Sequence, residues 1–359
     1  MSKKTLQKAV GLMSGTSADG ADAALIGTDG EDTIEFYGGL TIPYDADLRS
    51  RVLEASQYDV PIVELLRLER DITLRHAEAV NELVKTLPKE ARGTNLIGFH
   101  GHTVRHIPNQ HLTLQIGNPW LLAERTGMRV VFDFRRRDMA MDGQGAPLVS
   151  MFHRALFPNE PRPTLIINFG GVANVTYLGE NGSIVAGDTG PGCGLLDEWI
   201  QEMAGLSHDK DGLIAEKGQV DKAIVEAALS TPFFAKKLPR SADRFEFDHV
   251  DVSGLSVEDG AATLCAVTVE AIVQAVGRMQ KKPASVWVTG GGVHHPVIMR
   301  MIGEHFPMVQ SVRAKNLNPD TLEAECFAWL AVRHLLGLPL TIPDTTGCRE
   351  ESPGAAITC

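Results

Sequence analysis

Short apolar runs, broken by loops of small residues, alternate with long amphipathic stretches along the whole chain. The pattern is densest over 163–194, PTLIINFGGVANVTYLGENGSIVAGDTGPGCG. Residues 164–169 read as a buried strand and 175–178 as its hairpin partner. A third apolar run ends at Asp188, and 195–203 returns to helical spacing. Gly171 would free the backbone so that successive N–H groups converge on an anion. Asp188 then stands at a strand end, just before a helix N-terminus. From pattern alone it reads equally well as a reactive carboxylate or as a helix cap.

The same theme opens the chain. Runs at 9–13 and 21–26 flank a Gly/Ser/Thr loop, so a duplicated architecture with one phosphate-facing loop per domain is expected. Residues 61–87 carry a broad apolar helical face. Residues 95–99 form a strand that runs into His100-Gly-His102-Thr103-Val-Arg-His106. Strands are expected at 112–116 and 129–134, with a helix at 119–125 between them. The polar, glycine-bearing segment after 133 is where the chain is expected to cross between domains, and a helix follows over 147–156.

Further on, 221–229 reads as a helix and 230–252 as an irregular flap. Ser256 and Asp259 form a capping arrangement for a helix reaching about residue 280. A strand at 285–289, a turn at 290–292 and helices at 297–306 and 320–336 complete the pattern. In the last helix Asp320 at N-cap would place Glu323 at N3, where a capping acid belongs. Trp120, Trp199 and Trp329 fall in helical segments and are expected in the core. Strands alternating with helices predict α/β domains.

Composition narrows the function classes. The net charge of −11, from 34 basic and 45 acidic residues, argues against a nucleic-acid partner, which calls for a basic face. The longest run of cations is Arg135-Arg136-Arg137. The N-terminus lacks a signal-peptide core, and no apolar stretch reads as long enough to cross a membrane. Five cysteines without CxxC spacing predict free thiols in a reduced, cytoplasmic chain, with Cys265 and Cys326 buried. The three histidines at 100, 102 and 106 invite a metal reading, but their spacing is not that of structural zinc, and no metal ligand is assigned.

Several stretches together resemble the anhydro-N-acetylmuramic acid kinases of the actin, hexokinase and heat-shock chaperone ATPase superfamily. They are GLMSGTSADGAD (11–22), GFHGHTVRH (98–106), TLQIGNPWLLAERTG (113–127), VVFDFRRRDMAMDGQGAPLV (130–149), INFGGVANVT (167–176), GDTGPGCGLLDEWI (187–200), TGGGVHHP (289–296) and LEAECFAWLAVR (322–333). The resemblance implies a two-domain actin-like ATPase fold, a duplicated ribonuclease H-like α/β architecture with an interdomain cleft. Its domains are expected at 1–133 plus 343–359 and at 134–342.

The implied reaction opens the 1,6-anhydro ring of an amino sugar with water while phosphorylating O6, with ATP and Mg²⁺ as cofactors, in peptidoglycan recycling. Asp188 is implied as the base. Gly15, Thr16, Ser17, Ala18, Asp19, Gly20, Ala21 and Asp22 are implied at the nucleotide from one domain. Gly170, Gly171, Asn174, Gly290, Gly291 and Gly292 are implied from the other. Asp19 is a candidate to hold Mg²⁺ through water. His100, Thr103, Arg135, Gln144 and Glu323 are implied at the sugar, with Arg135 suited to a carboxylate. Cys193, the flap reading PRSADRFEF and His295 depart from the family's usual residues. The alternatives are a kinase of the same fold for another sugar, and a nucleotide-switched binding protein. The small-molecule sugar is the expected partner, with a homodimer left open.

Overall fold

A computed structural model describes residues 6–87, 92–242 and 244–359. Part of the N-terminal leader reading and Asp243 of the flap lie outside the described residues.

The chain divides into two compact units, Met1–Pro158 with Asp320–Cys359, and Asn159–Pro319. The first contains strands β1 (Gln7–Ser14), β2 (Gly20–Thr28), β3 (Ile34–Pro43), β4 (Leu96–Ile107), β5 (Leu112–Ile116) and β6 (Arg129–Phe132). Its helices are α1 (Ala46–Gln57), α2 (Ile62–Thr86), α3 (Pro119–Thr126), α4 (Arg136–Ala140) and α5 (Ser150–Leu156). The second unit contains β7 (Thr164–Phe169), β8 (Ala173–Leu178), β9 (Ile184–Gly190), α6 (Gly194–Ala204), α7 (Lys222–Ala228), α8 (Pro232–Ala235), α9 (Val257–Val276), β10 (Ser285–Thr289), α10 (Pro296–His305) and β11 (Val309–Ser311). The chain then returns to the first unit with α11 (Leu322–Leu335), α12 (Pro343–Thr346) and β12 (Ala356–Ile357).

Each unit builds the same sheet. In the first the order is β3-β2-β1-β4-β6, extended by β12 beyond β6 and by β5 beside β4. In the second it is β9-β8-β7-β10-β11. In both, the second strand is antiparallel to its neighbours and the first, fourth and fifth run parallel. The duplication expected from two similar hairpins is therefore present strand for strand.

The core of the first unit packs α2 against β2, with Leu68, Ile72, Val80 and Leu83 buried. On β1 and β4, α11 lies so close that a Cβ on Gly11 would sit 1.7 Å from the Ala324 carbonyl oxygen. One on Gly98 would sit 2.0 Å from that of Phe327. Two glycines thus let this helix touch the sheet backbone. In the second unit α9 is the central helix, 14 of its residues being buried. By length and composition it could span a membrane, contrary to the sequence expectation, but its apolar surface is spent inside this core.

Four further sequence expectations change. The boundary placed at 133/134 falls inside the first unit, because α4, α5 and the 141–149 loop stay with it. The boundary at 342/343 also falls there, because α11 packs on β1, β2 and β4. Helix α11 is N-capped by Thr321 without a side-chain bond from that residue, so Glu323 is at N2 rather than the N3 expected with Asp320 at N-cap. Trp120 is 55 % exposed, whereas Trp199 and Trp329 are buried; α3 has only Leu122 buried.

Candidate functional site

The first unit brings together the loop between β1 and β2, the end of β4, the 135–145 segment and the start of α11. At the tip of the β1–β2 hairpin, Ala18 N–H donates to the Gly15 carbonyl at 3.0 Å and Ala18 takes a left-handed φ of 53°. Gly15 is half-buried, Thr16, Ser17 and Asp19 are exposed, and Ala18 and Gly20 are buried. Arg49 on α1 steadies the tip, 3.7 Å from the Asp19 carboxylate and 3.4 Å from the Ser17 carbonyl.

Ala21 is buried on β2. Beside it Asp22 accepts from the Thr41 hydroxyl at 2.6 Å. Burial, then the nearby Glu323, Asp320 and Asp19 carboxylates, push the Asp22 carboxyl up to about 7, against a hydrogen bond from Thr41 that lowers it. The hairpin and the first turn of α11 therefore share one acidic neighbourhood.

Behind the loop runs a closed hydrogen-bond chain that sequence reasoning missed. Tyr44 Oη donates to Ser14 Oγ at 2.9 Å, and Ser14 Oγ lies 3.0 Å from His102 Nδ1. His102 Nε2 is 3.2 Å from Ser56 Oγ, which donates to the Val52 carbonyl at 2.9 Å. A neutral His102 protonated on Nε2 satisfies every group in this chain. Burial, followed by neighbouring His76, lowers it to about 4. His102 is thus committed to the fold, and among the described residues no cluster of three or more His, Cys, Asp or Glu could hold a metal.

His100, two residues earlier, points at different partners. Its Nδ1 lies 2.9 Å from the Gly101 carbonyl, which makes that nitrogen the donor. Its Nε2 accepts from Arg135 Nε at 3.0 Å and Nη2 at 2.9 Å. Arg135 Nη1 donates to the Gly145 carbonyl at 2.7 Å. Phe327 of α11 stacks on the His100 ring, 4.6 Å between centroids.

Gln144 is half-buried in a loop that Asp138 organises. Asp138 Oδ2 accepts from Gly145 N at 2.7 Å and its Oδ1 from Thr346 Oγ1 at 2.7 Å, while Gln144 N donates to the Thr346 carbonyl at 2.7 Å. Thr103 accepts from Gln115 Nε2 at 3.3 Å. All five residues expected at the sugar (His100, Thr103, Arg135, Gln144 and Glu323) belong to this unit.

The second unit carries the other expected residues. Gly170 and Gly171 close the β7–β8 hairpin, but neither takes positive φ, so the freedom expected of Gly171 is not used. Instead their carbonyls accept from Cys193 N at 2.9 Å and Gly194 N at 3.0 Å, which ties the hairpin to the start of α6. Left-handed backbone occurs at Gly290, φ 81°, where a Cβ would meet Asn168 Oδ1 at 2.5 Å. Gly291 is exposed and Gly292 buried. The Cys193 sulfur sits where a Gly292 Cβ would be 3.0 Å away.

Asp188 lies in β9 directly opposite Asn174 of β8. It is 7 % exposed. Its Oδ2 accepts from Ser241 Oγ at 3.0 Å and from Ala242 N–H at 2.8 Å. Asn174 Oδ1 is buried without a hydrogen-bond partner. Asp188 is inside a strand and not the N-cap of α6, which is Cys193; the helix-cap alternative falls. His295 caps α10, accepting from Ile298 N at 3.4 Å, with Nε2 3.3 Å from Asp209 Oδ2, so its ring is engaged within the fold.

Two sheets of this order, each with a glycine-bearing first hairpin, define an actin-like ATPase fold. The anhydro-N-acetylmuramic acid kinase family model matches residues 7–359. Relatives of that name include one from Rhizobium etli, 41 % identical over 98 % of both chains, and one from Acidiphilium cryptum, 43 % identical over 97 % of both. This chain belongs to the anhydro-N-acetylmuramic acid kinase family. Among solved structures, component A of the Acidaminococcus fermentans (R)-2-hydroxyglutaryl-CoA dehydratase is similar at a TM-score of 0.49 and 13 % identity, covering 91 % of this chain and 98 % of that one.

Proposed function

We propose that this protein phosphorylates 1,6-anhydro-N-acetylmuramic acid at O6 with ATP while water opens the anhydro ring at C1, giving the 6-phosphate. Family membership along the whole chain supports the substrate. The observation that carries the mechanism is the Asp188 carboxylate, buried within β9 two residues before its end, with one oxygen held by two donors. O6 is bridged to C1 in the anhydro sugar and has no proton, so the only proton to remove is on the attacking water. Asp188 accepts that proton as the water oxygen bonds to C1. The C1–O6 bond breaks and O6 takes the γ-phosphoryl group, releasing ADP. The arrangement parallels an inverting glycosidase, with phosphoryl capture of the leaving oxygen replacing its general acid.

Family membership supports the remaining roles. Gly15 to Gly20, Gly170, Gly171 and Asn174 are the candidates to supply backbone and side-chain groups for the phosphates, as phosphoryl transfer demands positioning and charge neutralisation. The unpartnered Oδ1 of Asn174 suits a donor such as a water or hydroxyl. Gly290 to Gly292 leave room for the adenosine. His100, Thr103, Arg135, Gln144 and Glu323 bind the sugar, with the Arg135 cation serving its lactyl carboxylate.

The donor set fits Mg²⁺. Asp19, Asp320 and Glu323 lie near enough to Asp22 to oppose its ionisation, so hard oxygen donors are at hand, and no protein cage of ligands is present among the described residues. Mg²⁺ characteristically binds in this way, through one or two carboxylates, phosphates and water. Asp19 would hold it, and the ion would supply charge neutralisation at the phosphates.

The test is mass spectrometry of the product formed from ATP and the anhydro sugar in H₂¹⁸O, read early to limit anomeric exchange. The expected product carries one label at the C1 hydroxyl and none in the phosphate. Label in the phosphate, or a phosphorylated sugar with its anhydro ring intact, would sink the proposal.

A further inference from the structure

One buried guanidinium ties the 236–242 strap to the backbone of Asp188. Arg240 is 4 % exposed. Its Nε donates to the Asp188 carbonyl at 2.9 Å and its Nη2 to the Thr189 carbonyl at 3.1 Å. Nη1 donates back into the strap and helix α8, to the Lys236 carbonyl at 2.8 Å and the Phe233 carbonyl at 2.9 Å. The guanidinium carbon stands 4.3 Å from the centre of the Phe233 ring and 5.8 Å from that of Phe234. In return Asp188 N–H donates to the Arg240 carbonyl at 2.8 Å. Burial first, then neighbouring Arg278, lowers Arg240 to about 10, so it stays cationic at neutral pH.

The next two residues of the strap, Ser241 and Ala242, are the ones whose O–H and N–H hold Asp188 Oδ2. Wherever Arg240 sits, these donors follow. A planar fork with donors on three nitrogens can bridge four carbonyls on two segments; a lysine ammonium, a single point of donation, cannot. Gly187, just before Asp188, keeps this approach open, since a Cβ there would lie 2.8 Å from the Arg240 carbonyl oxygen.

We propose that Arg240 is the positioning residue that locks the strap onto β9 and so fixes the aim of the Asp188 carboxylate. It touches no substrate and acts through Ser241 and Ala242. The inference rests on the reading of Asp188 as the water-activating base.

Its test compares full-length wild type with Arg240→Lys, Arg240→Ala and Asp188→Asn, by sugar-dependent ADP release, thermal melting and hydrogen exchange over 184–190 and 236–242. A misaimed base costs rate rather than affinity, so both Arg240 variants are expected to lose about 10–100-fold in kcat. KM for ATP should stay within about twofold, and the Asp188 amide should exchange faster. Added guanidinium should restore kcat of Arg240→Ala saturably and leave Asp188→Asn unrescued. An Arg240→Ala protein with wild-type kcat, or with unchanged exchange at 184–190, overturns the clamp. So does a loss of kcat that only tracks the folded fraction and resists guanidinium. Full activity in Asp188→Asn would instead overturn the base assignment, while the exchange data would still report whether Arg240 docks the strap.

Discussion

His100 Nε2 receives two hydrogen bonds from the Arg135 guanidinium, at 3.0 and 2.9 Å. The histidine can accept them only while neutral, and its other nitrogen donates to the Gly101 carbonyl. One edge of Arg135 is therefore spent on orientation, and its cation is held by two strictly placed acceptors, the imidazole and the Gly145 carbonyl.

Arg135→Lys keeps the charge and loses this geometry. A hydrogen bond to a charged group contributes about 1.5–3 kcal/mol, so KM for the sugar should rise about 10–100-fold. KM for ATP should change little. Steady-state kinetics with each substrate varied separately decides it; equal rises in both would place Arg135 in scaffold maintenance.

Buried histidines make folding pH-dependent with a definite sign. His76 and His102 are lowered to about 4 and His106 and His153 to about 3, in each case chiefly by burial; His100 is lowered well below its ordinary value by burial and then by Arg135, and His295 is lowered first by burial. Below the unfolded value near 6.5 the unfolded chain binds these protons and the folded chain does not, so stability falls as pH falls. Asp22 and Glu325 act oppositely, because burial raises both to about 7 and the folded state keeps their protons. Between pH 6.5 and 4.5, six lowered histidines, His295 included, against two raised carboxyls leave at most about four protons taken up on unfolding, a loss of at most about 5 kcal/mol per pH unit from these groups. Melting temperatures between pH 6.5 and 5 should therefore drop steeply; a flat profile would contradict the neutral histidine core.

The arrangement of apolar runs made most strands and helices legible, because β1, β2, β7 and β8 are buried runs and α2 and α9 have continuous apolar faces. Strand β3 escaped notice: Gly38 and Gly39 interrupt it, its pairing with β2 shifts register at Leu25/Ile26, and six of its ten residues are exposed. Helix α1 escaped because charge dominates it, although Asp45 caps it through Leu48 N. The site's motif residues were legible as loops and strand ends. The groups that hold them were not. Arg240 binds carbonyls, and the His102 chain links residues 14, 44, 56 and 102, so neither leaves a local pattern. The unit boundary was misplaced because α11 joins β1 across more than 300 residues of sequence.

Glu323 separates ligand from cap. It is at N2 of α11 and half-buried, where an acid gains only a few tenths to about 1 kcal/mol from the helix dipole. Glu323→Gln should melt within a few degrees of wild type, yet lose turnover by about 10-fold or more, as a removed charged contact would. A destabilised variant with normal activity per folded molecule would show that the residue serves the helix alone.

Asp188→Asn is the sharpest test, because the amide keeps the shape and the two donor contacts of Ser241 and Ala242 fall on an oxygen in either case. What it removes is the proposed base. General-base removal costs about 10²–10⁴ in rate, and here it should suppress ring opening and phosphorylation together, since O6 becomes a nucleophile only as the C1–O6 bond breaks. Product analysis by mass spectrometry should find neither free N-acetylmuramate nor a phosphorylated anhydro sugar accumulating, and KM for ATP should remain near wild type. An Asn variant that phosphorylates at full rate, or that opens the ring without transferring phosphate, would show that Asp188 does not activate the water.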